Sequence, residues 1–360
     1  VSRLLIGALG AMTLLTGPAQ AAAPDIYRLE SVTPLKGPSP AWDYLTFDAA
    51  RSYLFIGRRA GGVTVYDVKN KRVVGEIRDA AGANIAALVP EVGRGYTANA
   101  DGSTTIFDLA TLKTLARTKL GEGADAAFYE PATKQLAFTM GDTQQITFID
   151  AASAKITGHV HLDAEEIEGV AADGKGLMYA AERDKDRIAK IDARTHTRLA
   201  EWTIDKCDMP TGVAIDPAAG RLFVGCKGER PVLSVLDLAD GRLVAQLEIG
   251  RGNDTVRYDA KARRVFTSNG VEGNIVIFDQ KGPDEYKLFQ AVTTRPIART
   301  MAIDPATMKL YTVTAEGTVD PARPVNRKAA PFYPNLYFDD TFVLLEYGLH
   351  PMPVAPQPED

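Results

Sequence analysis

Cysteine, histidine and tryptophan are scarce in this sequence: two, four and two among 360 residues. Neither cysteine belongs to a C-x-x-C, so the usual dithiol of a redox site and the attachment motif of a covalently held haem are absent. No H-E-x-x-H, G-x-S-x-G or Walker A motif occurs, which removes the signatures of zinc hydrolases, serine-hydrolase elbows and phosphate-binding loops. No long run of like charge marks a basic nucleic-acid arm or an acidic tail. Past the first twenty residues, no segment approaches the about 18 consecutive apolar residues of a membrane span.

What is present begins with an address. Arg3 opens a short positive region, Leu4 to Leu15 is apolar, and Ala19-Gln20-Ala21 supplies small residues for cleavage. This is the pattern of a signal peptide cut after Ala21, the other reading being an uncleaved anchor. Removing it leaves 40 basic against 46 acidic residues, a net charge of −6. The expected product is a soluble, monomeric, periplasmic protein.

Internal repetition carries the fold. One phrase, an apolar strand, a turn and a second apolar strand, recurs seven times: LTFDAARSYLFIG, ALVPEVGRGYTAN, AAFYEPATKQLAF, VAADGKGLMYAA, VAIDPAAGRLFVG, VRYDAKARRVFTS and MAIDPATMKLYTV. Taking Asp48, Pro90, Glu130, Asp173, Asp216, Asp259 and Asp304 as turn positions gives gaps of 42, 40, 43, 43, 43 and 45 residues. That matches a four-stranded propeller blade of roughly 40 to 50 residues. A second phrase follows each first one: VTVYD, TTIFD, ITFID, IAKID, LSVLD and IVIFD, with FVLLEYG and Glu346 in the seventh copy. The recurrent aspartates read as Asx-turns at strand ends. The seventh copy stops after its third strand, and PMPVAPQPED is too rich in proline to pair. Residues 25–35 (DIYRLESVTPL) therefore supply the missing strand. The predicted fold is all-β: a seven-bladed propeller of four-stranded antiparallel blades over 25–348, after a signal peptide at 1–21 and before a Pro-rich tail at 349–360.

The phrases CDMPTGVAIDPAAGRLFVGC, VRYDAKARRVFTSNG and ARTMAIDPATMKLYTVTAEG resemble the YVTN-repeat propellers, in particular their exported YncE-like members. The resemblance spans roughly residues 25–348. It implies the propeller fold, and it brings in DNA binding because some members are described that way. The GH…WD pair of WD repeats is missing.

Function is expected on the rim formed by the d–a and b–c connections, which vary in length while the opposite turns are stereotyped. Five residues before each turn position stand Asp43, Ile85, Asp125, Glu168, Thr211, Asp254 and Arg299. Placed at the channel mouth, Asp43, Asp125, Glu168 and Asp254 raise one another's pKa or attract a cation such as Ca²⁺, and Arg299 anchors an anion or pairs with Asp254. The plainer reading is a polar funnel. No other cofactor is predicted. An insertion at 316–341 in the last blade carries Arg323, Arg327 and Lys328 beside Tyr333 and Tyr337, a mixture suited to a single nucleic-acid strand or a protein partner. Cys207 and Cys226 fall opposite each other across one hairpin, which suits a disulfide; a free pair and a metal or redox role are the alternatives. His159 and His161 form an H-x-H on an outer strand, and with Asp163 they form either a metal site or an exposed strand surface.

Three functions compete: a non-catalytic propeller presenting its rim to a small ligand, a peptide or an envelope protein; a lactonase-like or cofactor-dependent propeller enzyme; and a single-stranded DNA binder, which the negative charge opposes.

Overall fold

The computed structural model describes residues 25–36, 41–59, 61–325 and 334–353. Seven four-stranded antiparallel sheets stand around an axis. Blade 1 is Leu45–Asp48, Tyr53–Gly57, Val63–Asp67 and Arg72–Ile77, its strands a to d. Blades 2 to 6 repeat the pattern over 83–119, 124–161, 167–203, 210–248 and 253–293. Strands a of neighbouring blades touch, so they line the axis.

Burial explains the composition of each strand. Strands b and c lie between two neighbouring blades and are almost wholly buried, as in QLAFTM and VLSVLD. Strands d are mostly exposed or half-buried, as in TLARTK. The core is accordingly a set of layers between blades. Phe148 and Ala137 of blade 3 pack with Met178 and Ala189 of blade 4, and Phe55 of blade 1 meets Phe107 of blade 2 at 5.7 Å between ring centroids.

The aspartates close the turns opposite the mouth. The Oδ1 atoms of Asp48, Asp67, Asp108, Asp192 and Asp216 each accept two backbone N–H groups two and three residues ahead. Asp279 differs, pairing with Arg264 and Lys281. Glu346 differs too: it lies opposite Tyr311, inside the ladder, and holds Lys309 and the Ser31 hydroxyl.

The first strand, Asp25–Pro34, completes the last blade by pairing with Val343–Pro351. Its Tyr27 stands edge-on to Phe266 and Phe289 of blade 6, and Gln290 brackets the Tyr27 backbone at 2.7 and 2.9 Å. Lys309 joins Glu30 of this strand to Glu346. Pairing continues to Pro351, past residue 348 and into the Pro-rich stretch, because His350 and Pro351 still lie opposite Ile26 and Asp25.

One repeat is shifted from its expected register. Val89, not Pro90, lies opposite the first residue of strand b in blade 2, as Glu130 and Asp216 do in theirs. Proline follows the turn position here as it does at Pro131 and Pro217. The equivalent of Asp125 in blade 2 is therefore Asn84, and Ile85 belongs to the core.

Candidate functional site

The mouth is built by an irregularity that recurs. In blades 2 to 6, strand a slips register against strand b near its mouth end, between Ala83 and Ile85, Ala124 and Ala127, Ile167 and Val170, Pro210 and Gly212, and Asn253 and Thr255. A bulge frees a residue from the ladder and re-aims its side chain. Asn84, Asp125, Glu168, Thr211 and Asp254 fall within those slips, so strands a deliver polar groups to the axis.

The structure brings the expected carboxylates together and adds the cations that oppose them. Asp43 joins Arg59 and lies 3.9 Å from Arg299. Asp254 takes Lys227 on one oxygen and Arg299 on the other, the latter at 2.8 Å. Glu168 pairs with Arg183, which also reaches Glu166 at 2.7 Å. The expected acidic, cation-attracting ring is therefore an alternating one, because strands b place Arg59, Arg183 and Lys227 at equivalent positions beside it. Sequence reasoning overlooked these three, although each lies six residues after the first residue of its strand b, at Tyr53, Leu177 and Arg221. Asp125 is the exception: its partner is the amide of Asn84, at 3.0 Å.

The charges set the protonation of the mouth. Asp125 and Glu168 keep partial exposure yet have protein on all sides, as side chains facing a narrow channel do. Burial, then Glu168 and Asp43, push Asp125 well above the usual carboxylate range. Burial also raises Glu168, against Arg183 and Lys227. At Asp254 burial acts in the same direction, but Lys227 and Arg299 carry it below its ordinary value. Tyr44 feels burial and then all four carboxylates, so its phenol stays protonated. Arg257, three residues along from Asp254, donates to the Val256 carbonyl at 3.1 Å and has no carboxylate within ion-pair distance among the described residues. Burial lowers its pKa, with Tyr44 opposing.

The insertion reaches this mouth. Gly317–Thr318 and Leu336–Tyr337 form a short hairpin, and Asn335 pins the loop through the backbone of Asp320 and Pro324. Tyr337 packs on Trp42 at 5.1 Å, with the Arg299 guanidinium 5.2 Å from the same indole. Arg323 is tied to Asp320 at 3.3 Å. Arg327, Lys328 and Tyr333 lie outside the described residues.

Cys207 and Cys226 form a disulfide with Cα atoms 5.2 Å apart. It fastens the crossover into blade 5 beneath Lys227. His159 meets the Thr147 hydroxyl at 3.1 Å, and no cluster of metal-ligating side chains occurs among the described residues. A groove of about 690 Å³ between blades 5 and 6, lined by Leu247, Ile249, Val276, Phe278 and Leu288, lies on the flank; its Arg251 and Glu272 satisfy each other at 2.9 Å. Polar groups converge at the mouth, so the mouth is the candidate site.

Fold and mouth together define the class, a seven-bladed β-propeller closed by its N-terminal strand. No family model matches the chain, and no curated protein matches it. Among solved structures it is similar to hydrazine synthase of Kuenenia stuttgartiensis, with a TM-score of 0.67, 15% identity, and 78% of this chain and 94% of that one covered. It is also similar to a chain of the mitotic checkpoint complex, at TM-score 0.70 and 13% identity over 87% and 96% of the two chains. The WD40 repeats of RRP9 give a TM-score of 0.73 at 10% identity over 90% and 100%. Likeness at such identity establishes architecture and leaves function to the site.

Proposed function

We propose that this chain is an exported, non-catalytic binding propeller of the YVTN-repeat, YncE-like kind, and that its channel mouth holds a small polar ligand. The observation supporting this reading most is convergence. Asp43, Arg59, Asp125, Glu168, Arg183, Lys227, Asp254 and Arg299 meet at one end of the channel, whereas at the other end Asp48, Asp67, Asp108, Asp192 and Asp216 accept the amides of their own turns. Loops placed on a rigid scaffold are where recognition is usually built. Export is supported by the pattern at residues 3–21, and the Cys207–Cys226 disulfide suits an oxidising compartment. The repeat phrases support the YncE-like assignment.

A thermal-shift screen against metals, sugars, nucleotides and single-stranded DNA tests the proposal, run on the parent and on Asp254→Asn/Arg299→Gln. Stabilisation by a compound that this double variant loses, and that Asp108→Asn on the opposite face keeps, supports it. Hits indifferent to the mouth, turnover of a lactone panel, or a retained redox cofactor in the visible spectrum of the purified protein would sink it.

A further inference from the structure

Of Asp43, Asp125, Glu168 and Asp254, three are countered by the cation that follows a strand b. Asp43 and Glu168 take Arg59 and Arg183 from their own blades, and Asp254 takes Lys227 from the blade before it. Asp125, on blade 3, has no cation within ion-pair distance among the described residues; its partner is an amide.

The repeat register explains the gap. Six residues after the first of strand b stand Ala100 in blade 2 and Gly141 in blade 3. Ala100 is exposed and uncharged. At Gly141 a side chain is excluded, because its Cβ would lie 2.6 Å from the Glu165 carbonyl oxygen. Both positions that could neutralise Asp125, on its own blade and on the one before, therefore lack a cation.

A second observation shows what is missing. Asn84 of blade 2 is 4% exposed; its Nδ2 donates to Asp125 Oδ1 at 3.0 Å, while its Oδ1 has no partner. A carboxylate and an amide oxygen thus stand side by side without a donor between them, and Asp125 stays partly exposed. Buried polar groups are nearly always satisfied, and an unpaired charge among them is costly. The group that answers both carries positive charge and N–H donors. Calcium takes about six to eight oxygens, more than this pair offers.

We propose that the mouth binds the ammonium group of a primary amine between blades 2 and 3, where it donates to Asp125 and to the Asn84 side-chain oxygen in place of the missing cation. An ammonium has three donors and no acceptor, which suits two acceptors at one spot. The inference rests on the mouth being a ligand site and specifies the ligand's chemistry.

Calorimetry on the purified chain compares butylamine with butyltrimethylammonium, 1-butanol and calcium chloride. Butylamine binds about tenfold tighter than each of the others. Asp125→Asn abolishes that advantage. Ala100→Lys puts an ammonium where Lys227 stands relative to Asp254; it abolishes butylamine binding and raises the melting temperature at pH 8, a rise that Ala100→Lys/Asp125→Asn lacks. Circular dichroism confirms the fold of each variant, and Ala100→Arg replaces a Lys variant that fails to fold. Equal binding of the four probes overturns the inference, as do tighter binding of calcium and the failure of butylamine to bind. A proton on Asp125, shared with a rotated Asn84 amide, predicts that Asp125→Asn binds like the parent, and that outcome also overturns it. A screening hit lost in Asp254→Asn/Arg299→Gln but indifferent to Asp125→Asn and Ala100→Lys removes the ammonium site and keeps the mouth. No hit sensitive to any mouth substitution removes both.

Discussion

At the scale of single residues, aspartate does two kinds of work, and environment separates them. Asp216 is buried; besides its turn amides it accepts the Tyr258 hydroxyl and the Gln280 amide, both at 3.0 Å, and so ties blade 5 to blade 6. Asp192 serves only its own turn. Asp216→Ala should cost roughly 2–4 kcal/mol in urea unfolding, because the Ala218, Ala219 and Gln280 N–H donors lose their acceptor while the Tyr258 hydroxyl keeps Gln280 Oε1 at 2.6 Å, against about 1 kcal/mol for Asp192→Ala. Asp125 works in the other direction. Its pKa is raised in the folded chain by burial and by Glu168 and Asp43, with Arg59 and Arg183 opposing. The folded state therefore holds a proton that the unfolded state has released. Its contribution is present below the ordinary value of 3.8 and is lost as pH rises through the raised one. Asp125→Asn should melt above the parent at pH 8 and with it near pH 3.5, a gap that calorimetric scans across pH resolve. The turn aspartates were legible because their work is local. The mouth was half legible: the carboxylates follow the repeat register, but Asn84 was hidden by a proline taken for the turn position, and Arg59, Arg183 and Lys227 come from a different strand.

At the scale of elements, the crossover into blade 5 is the most constrained approach to the mouth. The disulfide spans 19 residues, and Pro210 already lies opposite Cys226 in the ladder. A loop of that size gives about 3 kcal/mol in the chain-entropy account. Replacing both cysteines with serine should cost about 2–3 kcal/mol in urea unfolding, while the mouth keeps its ion pairs because the hairpin persists. An unchanged midpoint would mean that the bridge adds nothing to the ladder. The blade strands themselves were readable from the repeated phrases, since each c strand is an apolar run buried on both faces and each d strand is more exposed. The insertion was readable only as a loop. What places Tyr337 on Trp42 is packing between segments almost 300 positions apart in the chain, and no local pattern encodes it.

At the scale of the whole molecule, closure decides whether seven similar sheets make one protein. Each blade buries its faces against two neighbours, so an incomplete last blade leaves blade 6 uncovered as well as leaving itself short. The N-terminal strand covers both defects: it pairs with Val343–Pro351 and seats Tyr27, 1% exposed, against Phe266 and Phe289. Without it, the Val343–Pro351 strand presents an unpaired edge, the arrangement that promotes association between chains. Burying one large apolar side chain contributes roughly 1.5–3 kcal/mol, and the ladder and the Lys309 bridge add to that, so the deficit approaches a domain's usual margin. A chain beginning at residue 36 should therefore elute as oligomers in size-exclusion chromatography and melt well below the parent. Adding a synthetic peptide of residues 25–35 should restore the parent's elution, since the groove it fills is made by elements already in place. A truncated chain that elutes like the parent with an unchanged melting point would show that the ring closes by other contacts. The mouth would then keep its frame, because Asp43 and Arg299 face each other wherever blade 7 still meets blade 1.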